Sequence, residues 1–225
     1  MKMKLGLSFM ALLLLALGSC TKNTDTNGMM YANVNVTHAS PDAPGVDLLV
    51  NDTKVNASAL GYPNSTGYLQ VEAKSNNIKV NVAGTATTVI NATLLFEPGK
   101  NYSIFAVDSV SKISPLVLSD DLSAPASGKA HVRFVHLSPN APAVDVAVVG
   151  GPVVFSNQSF KDATAFTPLD AGNYNLEVRV AGTSTVALTL PTISLAAGKI
   201  YTVFAKGFLG ATGTQELGAQ IITNK

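Results

Sequence analysis

Apolar and polar residues alternate with a period of two through most of the chain after residue 30. One segment places Val34, Val36 and His38 on one side of a strand and Asn33, Asn35 and Thr37 on the other. Similar stretches rich in β-branched residues follow at 46–50, 68–71, 78–82, 88–96, 102–107 and 115–118. Alternation of this kind between Gly, Pro, Asn and Asp turns is typical of half-buried strands. The pattern predicts an all-β body of short antiparallel strands.

The second half of the chain repeats the first. The segment 38–47 reads HASPDAPGVD and returns 98 residues later, at 136–145, as HLSPNAPAVD. Further segments match at offsets of 98 and 99 residues. An offset kept over such a distance indicates duplicated structural units. We therefore predict two homologous β-sandwiches, at 31–124 and 125–225, each of ordinary domain size.

A glycine turn followed by a tyrosine occurs once in each repeat. Gly99 precedes Tyr102, and Gly198 precedes Tyr201, each at the predicted start of a strand. This spacing is typical of a tyrosine corner, in which the ring packs under a turn and its hydroxyl binds a nearby backbone group. It favours immunoglobulin-like or fibronectin-III-like sandwiches over a closed barrel. The alternative is a pair of ordinary strand tyrosines.

The repeated decapeptide, the Gly-Lys-x-Tyr turn and the tandem layout resemble a bacterial family called domain-of-unknown-function family 4397. The resemblance covers both repeats, from Tyr31 to the end of the chain. It implies an extracytoplasmic β-sandwich that is often lipid-anchored, and it brings no established activity, ligand or catalytic residue. Repeat 2 departs from repeat 1 at Leu137, in place of Ala39, and at Asn140, in place of Asp42.

The first 20 residues have the pattern of a lipoprotein export signal. Lys2 and Lys4 precede an apolar run at 5–17, and the only cysteine, Cys20, ends the sequence Leu-Gly-Ser-Cys. The run is shorter than the roughly 20 residues that a membrane span needs. We expect a signal peptide at 1–19 and acylation of Cys20, which makes the membrane a partner.

Residues 20–30 are mostly small and polar, which predicts a flexible tether between the acylated cysteine and the folded body. Thr21 after the cysteine gives no signal for retention in the inner membrane, so we expect the outer membrane, and the face that the protein occupies stays open. The chain has 15 Lys and Arg against 14 Asp and Glu and no basic patch, so a nucleic-acid partner is not expected. A single cysteine also precludes a disulfide within the chain.

The decapeptide carries the candidate site residues of each repeat. They are His38, Ser40, Pro41 and Asp47 in repeat 1 and His136, Ser138, Pro139 and Asp145 in repeat 2. Each proline fixes a φ angle of a turn between two strands, and each aspartate can accept amide protons from a loop. We interpret the set as a structural motif that holds its own backbone in shape.

Two functional alternatives use the same segment. A calcium site could form from Asp42, Asp47 and loop carbonyls, but calcium takes about six to eight oxygens and repeat 2 offers one carboxylate fewer. A triad could be written as Ser40, His38 and Asp47, although these residues crowd one turn. We expect no metal, no cofactor and no catalytic residue, since no nucleophile elbow, spaced histidine cluster or phosphate loop occurs.

Tyr62 and Phe160 occupy matched loop-like positions and could plug the sandwich end or form a contact surface. The function that remains is a non-enzymatic interaction or scaffold module of the cell envelope, with an envelope protein or glycan as partner. Binding of a glycan or an extracellular polymer is the alternative, followed by a hydrolase.

Overall fold

The computed structural model describes residues 30–225, and strands make up nearly all of the regular structure in this part. The predicted signal peptide and Cys20 lie outside the described residues, as does the tether except for Met30. Two short 3-10 turns, Val110–Lys112 and Gly213–Gln215, are the helical elements of the described part.

Repeat 1 forms two four-stranded sheets. Its strands are β1 (Tyr31–His38), β2 (Val46–Val50), β3 (Thr53–Lys54), β4 (Ser65–Glu72), β5 (Ser75–Val82), β6 (Thr88–Leu95), β7 (Asn101–Val107) and β8 (Ser114–Asp120). One sheet has the order β4-β1-β7-β8 and the other has the order β3-β2-β5-β6. The chain thus crosses from one sheet to the other between β1 and β2.

Repeat 2 has the same plan. Its strands are β9 (Lys129–His136), β10 (Val144–Val148), β11 (Val153–Gln158), β12 (Thr167–Asp170), β13 (Gly172–Tyr174), β14 (Leu176–Val180), β15 (Val186–Thr189), β16 (Ile193–Leu195), β17 (Ile200–Lys206) and β18 (Gly218–Thr223). The sheets have the orders β12-β9-β17-β18 and β11-β10-β14-β15, and β13 pairs with β16. The all-β class with two tandem sandwiches is confirmed.

One strand pair in each repeat is parallel, which the alternation pattern did not indicate. Strand β1 runs parallel to β7, with Val36 opposite Ile104, and β9 runs parallel to β17, with Phe134 opposite Val203. All other neighbouring strands in the described sheets are antiparallel. A parallel pair needs a long connection between its strands, and the body of each repeat supplies it.

Each sandwich encloses its own apolar core. In repeat 1, Val34, Ile78, Phe96 and Ile104 pack together. In repeat 2, the corresponding cluster contains Val132, Phe134, Val146, Val178 and Val203. These residues are the inward positions of the period-two pattern.

A second apolar layer joins the two repeats. The sheet β4-β1-β7-β8 faces the sheet β12-β9-β17-β18, and the rings of Phe105 and Phe204 meet edge to face at 5.9 Å. The buried members of this inter-repeat cluster are Ala39, Phe105, Val107, Val135, Leu137 and Phe204. Strands β1, β7, β9 and β17 are therefore buried on both faces over much of their length.

A buried ion pair lies in the same layer. Arg133 of β9 places Nη1 2.7 Å from Oδ1 of Asp120, and the two side chains are 3% and 0% exposed. The guanidinium also donates from Nη2 to Ser103 Oγ at 2.8 Å and from Nε to Thr202 Oγ1 at 3.0 Å. Its flat face covers the ring of Phe166 at 4.5 Å. Repeat 1 supplies the carboxylate and repeat 2 supplies the cation.

Further hydrogen bonds surround the carboxylate of Asp120. Its Oδ2 accepts from the hydroxyls of Tyr68 at 2.5 Å and Ser103 at 2.7 Å. Asn224 donates from Nδ2 to the Tyr68 hydroxyl at 3.0 Å and accepts from Thr202. Burial and the neighbouring Asp120 carboxylate both raise the pKa of Tyr68. The hydroxyl therefore stays protonated and can donate to the carboxylate.

The charges in this network differ between equivalent positions of the repeats. Arg133 stands where repeat 1 has Asn35, 98 residues earlier. Asp120 pairs with Asn101 across the sheet. In repeat 2 the backbone amide of Asn224 donates to the carbonyl of Ile200, which corresponds to Asn101. Asn224 is therefore the equivalent of Asp120. The equivalents of both charged residues are thus asparagines, and the ion pair distinguishes repeat 1 from repeat 2.

Candidate functional site

The repeated His-to-Asp turn joins the two sheets of each sandwich. In repeat 1 it runs from His38, the last residue of β1, to Asp47 in β2. In repeat 2 it runs from His136, the last residue of β9, to Asp145 in β10. Because the turn bridges the sheets at one end of each sandwich, its side chains meet several loops.

Both histidines are fully buried and close their own turn. Nε2 of His38 lies 2.9 Å from the carbonyl oxygen of Pro44, and Nε2 of His136 lies 3.1 Å from that of Pro142. Since a carbonyl can only accept, each Nε2 carries the proton and donates it. Burial lowers the pKa of both imidazoles below the ordinary value of 6.5, so both are neutral at pH 7.

The serines of the two turns point inward as well. Ser138 donates from Oγ to the carbonyl oxygen of Gly207 at 2.7 Å, which ties the turn to the loop after β17. Ser40 is also fully buried, and its Oγ has no hydrogen-bond partner within residues 30–225. Pro41 and Pro139 begin the bends that follow the serines. None of the hydrogen bonds in this part of the chain links a turn serine to a turn histidine.

Asp42 and Asn140 fasten each turn to a second loop, a link that the sequence pattern did not reveal. Asp42 Oδ1 accepts from the amide of Val110 at 2.8 Å. Asn140 Oδ1 accepts from the amide of Leu209 at 2.8 Å, and its Nδ2 donates to the Leu209 carbonyl at 3.0 Å. The exchange of aspartate for asparagine is itself a signal for this role, because both side chains have Oδ1 as an acceptor.

The aspartates at the end of each turn hold tight bends elsewhere in the sandwich. Asp47 Oδ2 accepts from the amide of Gly84 at 3.0 Å, and Asp145 Oδ2 accepts from that of Gly182 at 2.9 Å. Both glycines have a φ of 72°, which other residues rarely adopt. Oδ1 of Asp47 pairs with Lys54 at 2.7 Å. The Gly84 amide, followed by Lys54, lowers the pKa of Asp47.

In repeat 2 a backbone amide takes the place of that lysine. Asp145 Oδ1 accepts from the amide of Asn157 at 2.7 Å. The carboxylates of the turns are therefore bound to amides or to a lysine. Among residues 30–225, no group of three or more His, Cys, Asp or Glu is placed to hold a metal ion.

The tyrosines of the two glycine turns have equivalent contacts. The hydroxyl of Tyr102 accepts from the amide of Glu97 at 3.2 Å, and that of Tyr201 accepts from the amide of Ala196 at 3.2 Å. Each bond spans five residues and encloses the glycine turn. The hydroxyls hold the backbone at the entrance to β7 and β17.

Tyr62 and Phe160 are both half-buried and pack at the contact between the repeats, and their use as a contact surface stays a prediction. The hydroxyl of Tyr62 is buried against the backbone of Gly207 in the other repeat, and this burial raises its pKa to about 12. Lys206 Nζ lies 5.6 Å from the Tyr62 ring centre. Phe160 packs on the inter-repeat cluster. Their loop-like context could not show this, since the pairing of the repeats brings their partners from distant sequence.

The buried histidines should make stability depend on pH. The unfolded chain takes up a proton at each histidine near pH 6.5, whereas the folded chain does so only at lower pH because both pKa values are lowered. The free energy of unfolding should therefore be highest above pH 6.5. As the pH is lowered from 6.5, it should decrease by up to about 1.4 kcal/mol per pH unit for each histidine, until the pH passes the pKa of the folded state. Urea unfolding at pH 7.5, 6.5 and 5.5 measures this.

The matched variant for that experiment is the double substitution His38→Gln and His136→Gln. Glutamine keeps an Nε2 donor for the proline carbonyls but does not titrate, so the variant should lose most of the slope between pH 6.5 and 5.5. Equal wild-type stabilities at pH 7.5 and 5.5 would contradict the assignment of two buried neutral imidazoles.

These features define a class of protein: a tandem β-sandwich whose repeats share a self-closed His-to-Asp turn and pack face to face. The chain belongs to the family described as a domain of unknown function, DUF4397, which matches residues 32–147 and 147–225. This confirms the resemblance noted from the decapeptide. The boundary at residue 147 falls within β10, so the matched segments do not follow the division between the sandwiches.

No curated protein matches the chain. One matching solved structure is CBMbc, of family CBM26, from Eubacterium rectale Amy13K in complex with maltoheptaose. It is 9% identical, covers 82% of this chain and 100% of its own, and has a TM-score of 0.30. A likeness at that score carries no argument about this chain. Among residues 30–225, no helix is long and apolar enough to cross a membrane.

Proposed function

We propose that this protein is a non-enzymatic interaction or scaffold module of the cell envelope. The observation that carries the proposal is the self-closure of both His-to-Asp turns. Nε2 of each imidazole and three of the four carboxylate oxygens of Asp47 and Asp145 bind backbone groups, and the fourth oxygen pairs with Lys54. A catalytic histidine needs a nitrogen within reach of a proton donor on the substrate, and these two rings are 0% exposed. The residues with chemical reactivity therefore serve the fold.

The same proposal places the protein on a membrane through an acylated Cys20, most simply the outer membrane. Two or three acyl chains hold a protein firmly, since each buried methylene contributes about 0.8 kcal/mol. The face-to-face repeats would then form one rigid body at the end of a short tether. A body of this kind presents loops and sheet edges to neighbours in the envelope.

Replacing Cys20 by serine should abolish membrane attachment. We expect Cys20→Ser to move from the membrane fraction to the soluble fraction and to lose metabolic labelling with an alkyne palmitate analogue. Ser19→Ala, one residue earlier, is the control and should stay in the membrane fraction and be labelled. Retention of the serine variant in the membrane fraction would show that the lipid anchor is wrong.

Site-specific photo-crosslinking in intact cells tests the interaction itself. The probe is placed at exposed apolar positions, namely Leu95 and Val117 in repeat 1 and Val186 and Leu209 in repeat 2, and at the exposed polar Asp52 as control. We expect a discrete adduct at a subset of the apolar positions, because a contact surface covers only part of the molecule. The absence of adducts at all four would contradict the proposal.

Hydrolase activity at the His-to-Asp turns would contradict the proposal, and an esterase assay tests for it. The purified protein is assayed with p-nitrophenyl acetate beside Ser40→Ala and Ser138→Ala, which remove the two turn hydroxyls. We expect no turnover above the uncatalysed rate in any of the three. Turnover by the wild type that either serine variant abolishes would establish catalysis.

Protease shaving of intact cells then shows on which face of the membrane the protein lies.

A further inference from the structure

Repeat 2 contains an apolar pocket of about 100 Å³ between its two sheets, at the end that carries the His136 turn. Strands from both sheets and the loop after β17 line it, and the apolar residues of the lining include Val144, Val178, Val180, Ala187, Leu209 and Leu217. Ala187 and Leu209 are also exposed to solvent. The pocket therefore reaches the surface of the protein at these two residues and at Pro142, which is exposed as well.

The lining offers carbon atoms and no charge. His136 and Ser138 are its polar members, and both are engaged with the backbone. Nε2 of His136 donates to Pro142, and Oγ of Ser138 donates to Gly207. A polar or charged group that entered would lose its water without gaining partners, which costs free energy. The group that fits this pocket is a hydrocarbon.

Repeat 1 has a larger side chain at one of the positions that line this pocket. Val89 stands at the position of Ala187, and both belong to the same irregular step of the hairpin. Ile113, which precedes β8 as Leu217 precedes β18, packs with Val89 against the core of repeat 1. The loop between β7 and β8 has six residues, whereas the equivalent loop between β17 and β18 has eleven. In repeat 1, side chains thus pack against the core at this point, whereas repeat 2 has a pocket there.

We propose that this pocket binds a hydrocarbon group of a ligand. Apolar protein cavities of about 150 Å³ stay free of water and bind benzene. By that measure a pocket of about 100 Å³ encloses about four carbons, and a benzene ring fits if its outer edge remains at the surface opening. That group can be a small free molecule or the end of an acyl chain whose head remains outside, beyond Leu209. The inference rests on the pocket alone and does not depend on the proposed envelope partner.

Benzene and octanoate are the two probes that test the pocket. Each is titrated into the purified protein, with binding followed by thermal unfolding and by the methyl NMR signals of the pocket. Because a ligand that binds only the folded state stabilises it, near-saturating benzene should raise the Tm by a few degrees. Binding of octanoate in addition assigns the end of an acyl chain, and binding of benzene alone assigns a small free molecule.

Ala187→Val, which copies the repeat 1 residue, should weaken benzene binding at least tenfold while the protein remains folded. Val186→Leu is the matched control, since it adds a carbon to the same strand at the neighbouring exposed position, and it should bind benzene as the wild type does. No response of the wild type to either benzene or octanoate would show a packing void only and overturn the proposal. Equal binding by Ala187→Val would overturn it as well.

Discussion

Replacement of Arg133 by alanine should lower the free energy of unfolding by about 3–5 kcal/mol. The substitution removes the guanidinium and leaves the carboxylate of Asp120, which is 0% exposed, buried without its cation. Ser103 and Thr202 also lose the donor that each accepts from. An uncompensated charge between two packed sheets is a far larger penalty than the loss of one hydrogen bond.

Urea unfolding measures this cost, with Lys129→Ala as control. Lys129 forms an ion pair with Asp170 at 2.8 Å, but the side chains are 38% and 79% exposed, so its loss should cost less than about 1 kcal/mol. The double variant Arg133→Met with Asp120→Leu removes both charges and should recover most of the lost stability. A cost below about 1 kcal/mol for Arg133→Ala would mean that water reaches the pair.

Truncation of Phe204 should be comparably severe, with an expected loss of about 3–5 kcal/mol for Phe204→Ala. The ring is 0% exposed and packs edge to face on Phe105, which belongs to the other repeat. Its removal leaves a cavity that two opposing sheets cannot easily close. The loss is therefore that of a core residue, although the cluster lies between the sandwiches.

Two reference variants provide values with which the loss of unfolding free energy for Phe204→Ala can be compared. Phe155→Ala truncates a ring in the core of repeat 2 alone, and Leu95→Ala shortens a side chain that is 70% exposed. Phe204→Ala should resemble the first variant and differ from the second, whose effect should stay within about 0.5 kcal/mol. If Phe204→Ala were as mild as Leu95→Ala, the two repeats would not share a core in solution.

The contact between the repeats accounts for both expected effects. Each repeat presents the sheet that contains its parallel pair, and the two sheets bury apolar rings around one ion pair. Since equivalent positions carry asparagine, two copies of the same repeat would lack this pair. We expect the ion pair to favour the contact of repeat 1 with repeat 2 over contacts between like repeats.

The alternation pattern alone could not reveal that contact. Asn35 and Thr37 were assigned from sequence to the polar side of their strand, and Arg133 occupies the position in repeat 2 that is equivalent to Asn35. All three are nonetheless buried, at 1%, 0% and 2% exposure. A period of two separates the faces of a strand but does not state which faces meet water, because a polar face can be buried if its groups find partners. Strands β1 and β9 are buried on both sides for this reason.

The turn residues were easier to predict than their partners. Pro41 and Asp42 indicate a bend from local chemistry, and the repeated His38 and Asp47 indicate a shared structure. The atoms they bind lie across the fold, as with Asp47 and the amide of Gly84. Nothing in a single sequence states such a pairing. The repetition of the motif indicates that these residues have the same role in both repeats, but it does not identify the atoms that they bind.

The amino-acid sequence by itself determined the all-β class, the duplication and the position of the two turns, because these depend on periodicity and on local backbone preference. The tertiary structure alone decided the parallel strand pairs, the burial of both faces of the central strands, and the inward placement of Tyr62. It also decided that Ala187 leaves a pocket open where Val89 packs against the core in repeat 1. The physical reason is the same in each case: burial and hydrogen bonding are properties of which distant segments meet, and chain-local patterns do not encode the partner.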